Sequence, residues 1–284
     1  MAIANQALLD PARVGWSEIR MTASKLLLTA EARLTLRTLS GETAANDLRP
    51  VSAAGFTPLP PGDEVLELIY DAGGVGRQSN LVLWMDPYSG AALQRIQHDQ
   101  AGRLRWRAYR FGREGAYQQT RWPATAAEES LKPARWTRTS QGLRAYPVAP
   151  GGKPVVEPTG LLYAIAAAAL DKPGDRLELL VFRRRDTQLV RIDVLPPSPV
   201  AVHYDELWPT GTVERDEQVL PVRLSVQGLP VPGAKPGDDE LELLGLRGKL
   251  ELLLDPATRA PLELSGDVRI LGRVTLRLAA MHPL

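Results

Sequence analysis

The 284-residue chain contains no cysteine. Disulfides, iron–sulfur clusters, thiolate zinc sites and cysteine nucleophiles are therefore excluded together. A thiol-free chain suits the bacterial periplasm, where a stray thiol is open to wrong oxidation. It suits many cytoplasmic proteins as well. Histidine is scarce: His98, His203 and His282 are the whole set, and no two stand at a metal-ligand spacing. Excess charge of one sign is missing too, with 34 basic side chains against 33 acidic ones. Nucleic-acid binders draw affinity from a basic surplus that neutralises phosphates, so no nucleic-acid partner is expected.

Long hydrophobic runs are absent. The longest, 160–170, is about half of what a membrane-spanning helix needs, so the chain is not expected to span a membrane. Residues 1–10 have no basic segment followed by an apolar one and do not read as a signal peptide. Export to the periplasm therefore implies a leader already removed. Catalytic motifs are missing as well: no Gly-x-Ser-x-Gly, Walker lysine or His-Glu-x-x-His occurs. Gly73-Gly-Val-Gly76 is followed by Arg77-Gln-Ser and another strand pattern, which makes it a hairpin loop rather than a phosphate loop. His203-Tyr-Asp205-Glu206 could hold a metal, but it reads as a solvated strand end. Asp238-Asp-Glu240 reads as part of a soluble loop. No acid, base and nucleophile assemble, so the expectation is a protein that is not an enzyme and has no cofactor or metal.

What is present is a period of two. Leu26, Leu28, Ala30, Ala32, Leu34 and Leu36 alternate with Leu27, Thr29, Glu31, Arg33, Thr35 and Arg37, as in a half-buried strand. Strands are predicted at 65–70, 80–85, 91–98, 104–111, 116–122, 176–182, 188–194, 200–204, 219–227, 240–246, 249–254, 262–270 and 273–278. Pro/Gly-rich 146–160 predicts a hinge, and 228–239 a loop. Between them lies one apolar helix, 160–170, with Thr159 as its cap and 171–174 as its stop. It is apolar all round, so protein should surround it. The predicted fold is mainly β (α+β): a large curved antiparallel sheet or half-barrel wrapped around one short apolar helix. Residues 1–15 read as an N-terminal extension and 16–284 as one domain.

One segment echoes another. Leu81-Val-Leu-Trp-Met-Asp-Pro-Tyr-Ser-Gly-Ala-Ala-Leu93 aligns with Leu250-Glu-Leu-Leu-Leu-Asp-Pro-Ala-Thr-Arg-Ala-Pro-Leu262. Either a common turn chemistry is used twice, or a half-sheet has been duplicated.

Two constellations are candidate sites. Arg103, Arg105 and Arg107 fall on one face of a strand. They read as a solvated face paired with carboxylates on a neighbouring strand, or as a site for an anionic head group. Arg183-Arg-Arg185 reads as a hairpin tip. Trp84, Trp106, Tyr109, Phe111, Tyr117 and Trp122 occupy adjacent predicted strands, and Tyr163 lies on the helix. Such aromatics form core or line a pocket. The predicted ligand-binding set is these seven aromatics with Arg105 and Arg107.

Glu157-Pro-Thr-Gly-Leu-Leu-Tyr163, Gly248-Lys-Leu-Glu-Leu-Leu-Leu-Asp255, Arg259-Ala-Pro-Leu262 and Ile270-Leu-Gly-Arg-Val-Thr-Leu276 carry a resemblance. The chain resembles a family of uncharacterised envelope proteins of Gram-negative bacteria, over about residues 16–278, with its motifs from Val155 onward. Glu157 stands where that family has Asp, and an Asp255-Pro turn replaces Asp-Asp or Asp-Ala. The resemblance implies no catalytic residue. It implies a fold similar to the outer-membrane lipoprotein carriers and receptors: an open half-barrel whose apolar cleft, between sheet and helix, holds acyl chains. The expected function is a periplasmic protein that binds a lipid, an acyl chain or a lipoprotein. The alternative is a structural protein that meets an envelope partner through a sheet edge, without a small-molecule ligand.

Overall fold

The computed structural model describes residues 9–25, 28–74, 77–100, 104–146, 150, 152–183, 187–229, 240–268 and 271–284. Several expectations fall wholly or partly outside these: Leu26 and Leu27, Val75 and Gly76 of the glycine loop, Arg103, residues 147–149 and 151 of the hinge, Arg184 and Arg185, Asp238 and Asp239, and Ile270.

Seventeen strands form one sheet. A first wing runs as a meander through β1 (Trp16–Lys25), β2 (Leu28–Ser40), β3 (Glu64–Gly74), β4 (Arg77–Met85), β5 (Ala92–Asp99), β6 (Arg105–Phe111), β7 (Gly115–Trp122) and β8 (Arg138–Ala145), each antiparallel to the one before. Nine more strands follow: β9 (Val155–Val156), β10 (Arg176–Phe182), β11 (Thr187–Leu195), β12 (Val200–Trp208), β13 (Gly211–Val219), β14 (Val222–Gly228), β15 (Arg247–Leu254), β16 (Pro261–Val268) and β17 (Gly272–Pro283). The second wing is ordered β9-β10-β11-β14-β15-β16-β17. β17 pairs with β1 and joins the wings. The β12–β13 hairpin branches from the end of β17 through a short parallel pairing at Asp205 and Glu206. The antiparallel curved sheet expected from the alternation is present, with parallel contacts only at β9–β10 and β12–β17 among the described pairings.

The wings curl toward each other. Phe182 on β10 meets Tyr109 and Phe111 on β6 at ring centroids of 5.6 and 5.2 Å. Between the wings sits α3 (Leu161–Ala167), entered through a 3-10 turn, Pro158–Gly160. Every residue of α3 is buried, and a Cβ on Gly160 would press on Leu83 and Met85 of β4 at 3.0 Å. A helix of seven residues does not persist alone in water. Burial on all sides holds it, as its uniformly apolar sequence demands.

Both helix ends differ from expectation. Glu157 caps the 3-10 turn that leads into α3, its carboxylate accepting from the Thr159 backbone N–H at 2.6 Å, while α3 itself begins after Gly160 without a side-chain cap. Thr159 is the donor's residue here, not the cap. The helix stops at Ala167, ahead of 171–174, because Ala168 is already extended and the carbonyls beyond are taken by Arg259.

Other differences have clear causes. Residues 240–246 are not a strand: Leu244 and Gly245 take φ of 51° and 85°, and Leu241, Leu243 and Leu246 drop into the core. Pro221 lacks an N–H and divides the predicted 219–227 strand between β13 and β14. The stretch predicted as an N-terminal extension is packed into the fold from Leu9 onward. Leu9 is buried, Asp10 N–H donates to Ala167 at 2.9 Å, and Gly15 N–H donates to Thr258 at 2.9 Å. Outside the sheet, α1 (Gly41–Asp47) covers the convex face of β3–β5. There Ala44, Leu48, Val65, Trp84 and Leu93 form a second apolar cluster. A last short helix, α2 (Ala126–Glu129), lies between β7 and β8.

Candidate functional site

The two Asp-Pro turns have one geometry. Asp86 Oδ1 accepts from the N–H groups of Tyr88 and Ser89 and the Ser89 hydroxyl, at 3.2, 2.7 and 2.7 Å. Asp255 Oδ1 accepts from the N–H groups of Ala257 and Thr258 and the Thr258 hydroxyl, at 2.9, 2.7 and 3.0 Å. Each ends in a left-handed residue: Gly90 at φ 74° and Arg259 at φ 60°. Each is followed by a register shift in its hairpin. Both turns grip α3. The Tyr163 hydroxyl donates to the Pro87 carbonyl at 2.9 Å. The buried Arg259 guanidinium donates to the carbonyls of Ala166, Leu170 and Ala168 at 3.2, 3.1 and 3.2 Å. Burial lowers the proton affinity of Arg259, with Arg13 adding to that effect and Asp171 opposing it.

Beyond the helix the concave face turns polar. In the register of β4, β5 and β6, Ser79, Asp99 and Arg105 lie side by side; Leu81, Gln97 and Arg107 follow, then Leu83, Arg95 and Tyr109. Arg95 pairs with buried Glu157 at 2.9 Å and lies over the Tyr109 ring at 5.6 Å. Asp99 pairs with Arg107 at 3.0 Å and with Arg105 at 3.7 Å. Gln97 accepts from Arg95 and donates to Asp99 at 2.7 Å, which ties the two pairs together. Burial lowers the proton affinity of Arg107 despite the neighbouring Asp99. The expected pairing of the arginines with a carboxylate on the next strand is present.

The predicted aromatic set does not gather into one pocket. Tyr109, Phe111 and Trp122 share the concave face with Arg105 and Arg107. Tyr163 is buried against the first turn, and burial raises its phenol pKa. Trp84, Trp106 and Tyr117 alternate onto the convex face. Trp84 packs beneath α1, Trp106 is stacked by Arg49 at 5.0 Å, and Tyr117 packs on Phe56 at 5.9 Å. Strand parity separates them, because neighbours in sequence point to opposite sides.

The residues of α3 are all buried, none exposed by more than 1%, so the helix itself lines no open cleft. Two depressions, about 260 and 160 Å³, lie on the sheet around Arg223, Glu251 and Glu263, and around Gln118, Ser140 and Arg144. His203 is solvated, 3.5 Å from Glu214. Among the described residues no three His, Asp or Glu side chains group as a metal site would, and no helix is long and apolar enough to cross a membrane.

The free edge of β13 escaped the sequence reading. All nine of its residues pair with β12, and among the described residues no strand lies on its other side. Trp208 and Val213, exposed by 42% and 49%, stand near its tip. The arm carries Asp205, Glu206, Glu214, Asp216 and Glu217 against Arg215. The run of charge in 214–217 was the available signal. No family model, curated protein or solved structure matches the chain.

Proposed function

We propose that this chain is a non-catalytic interaction protein of a bacterial envelope assembly, and that it takes up an extended, basic segment of a partner along β13. The free nine-residue edge carries this reading. A strand added there gains main-chain hydrogen bonds, while side chains set specificity. The exposed carboxylates of β13, Glu214, Asp216 and Glu217, favour a basic segment and oppose pairing of two β13 edges with each other. Trp208 and Val213 supply exposed apolar contacts at the tip. The envelope and periplasmic setting rests on the family resemblance. An acyl-chain carrier would need space between sheet and helix, and the packed surroundings of α3 weigh against that reading.

The test compares capture from envelope extracts by the wild-type chain and by Glu214→Lys/Glu217→Lys. Both positions are exposed, so folding should survive. A partner held by the wild type, released by high salt and lost with the double variant supports the proposal. Identical capture by both chains refutes it. Native mass spectrometry of the same preparation reads out any co-purified lipid.

A further inference from the structure

We propose that the Arg95–Arg105–Arg107 cluster on the concave face binds a tetrahedral oxyanion, either free phosphate or the phosphate of an amphiphile's head group. Three guanidiniums on β5 and β6 face two carboxylates, Glu157 and Asp99. One positive charge is therefore uncompensated inside the cluster. Asp99 is already occupied by Arg107, Arg105, Gln97 and Ser79, at 3.0, 3.7, 2.7 and 3.2 Å. It has little left to offer a third cation.

Donors outnumber acceptors as well. The Nε atoms of Arg95 and Arg107 are buried without a hydrogen-bond partner, as is the indole Nε1 of Trp122 on the neighbouring strand, and the buried Nε of Arg105 lies 3.7 Å from Asp99, beyond hydrogen-bond reach. Buried donors left unpaired are costly and uncommon in folded proteins. A guanidinium donates only, so the missing partner must be an acceptor. Neutral groups would satisfy hydrogen bonding alone; an anion satisfies hydrogen bonding and charge together. The fork of a guanidinium fits the paired oxygens of a phosphate. The side chains of Arg95, Arg105 and Arg107 remain 19%, 30% and 16% exposed, so the cluster has an approach from solvent. The Gln97 bridge keeps the guanidiniums in place before a ligand arrives.

The test uses the full chain and two probes. Inorganic phosphate is titrated by calorimetry at constant ionic strength. Phosphatidylcholine vesicles with and without phosphatidic acid are used in flotation. Arg105→Gln should weaken phosphate binding at least about tenfold. Asp99→Asn keeps most hydrogen bonds and removes the competing charge, so it should tighten binding by about tenfold, a gain that loss of structure cannot mimic. Phosphate binding without flotation assigns the free ion. Flotation that needs phosphatidic acid and is competed by phosphate assigns the head group. Binding to neither probe, or binding that both substitutions leave unchanged, overturns the proposal. The β13 edge lies outside this cluster, so the partner test and this one fail independently.

Discussion

Replacing Arg259 tests the claim that two repeated turns hold one helix. Its guanidinium satisfies three carbonyls at the end of α3, and a buried acceptor left without a donor costs about 1–3 kcal/mol. The Ala168 carbonyl also accepts from the Leu170 N–H at 2.9 Å, so two acceptors are orphaned; summed plainly they would cost about 2–6 kcal/mol, but exposed Asp171 lies beside the site and lets water reach part of it. The expected loss for Arg259→Ala is therefore in the lower half, about 2–4 kcal/mol. Arg259→Gly discriminates further. The residue sits at φ 60°, where a Cβ costs about 1 kcal/mol, so glycine should be about that much less damaging than alanine. Arg259→Lys keeps the charge but cannot span three acceptors, and should fall between wild type and alanine. Urea unfolding followed by circular dichroism reads these differences directly, provided the m value is unchanged. An alanine variant within about 1 kcal/mol of wild type, or a glycine variant worse than alanine, would refute the reasoning.

Glu157→Ala removes the cap of the helix entry and strands Arg95 on the concave face; it should cost about 3 kcal/mol in urea unfolding, with Glu157→Gln milder. Tyr163→Phe should cost about 1 kcal/mol through loss of its bond to Pro87, read by the same titration. Alkali should destabilise the fold. Burial pushes the phenol of Tyr70 up to about 12, and that of Tyr163 upward too. The folded chain keeps those protons longer than the unfolded chain, so this stability is full below pH about 10 and is lost as pH rises toward about 12. Melting temperature followed against pH, with Tyr70→Phe flattening the decline, checks it.

The concave face was legible where alternation was clean. β3, β4, β6 and β10 follow their predicted runs because each keeps a stretch rich in β-branched, aromatic and leucine residues bounded by turn residues. β1 was missed because a bulge between Trp16 and Glu18 breaks its period at the start, and the small or polar Thr22, Ala23 and Ser24 leave the remaining alternation weak. β8 and β13 were missed because they are exposed on almost every residue and have no apolar face to repeat. Residues 240–246 misled because spaced leucines look the same whether they line a sheet or plug it. Arg105 and Arg107 could be placed on one face from spacing alone. Their link to Glu157, through Gln97 and Arg95, joins residues about 50 positions apart and leaves no trace in any local pattern. Arg259 did leave one: aligned with the first Asp-Pro segment, it occupies the place of Gly90, an odd residue for a left-handed turn.

β17 is the seam where the two wings meet, with β1 on one flank and β16 and β12 on the other. The edge of β1 that faces away from β2 therefore has no partner until residues 272–283 have been made. This seam joins the segments furthest apart in sequence among the described pairings, and its closure is the slow, non-local step expected to limit the rate of folding.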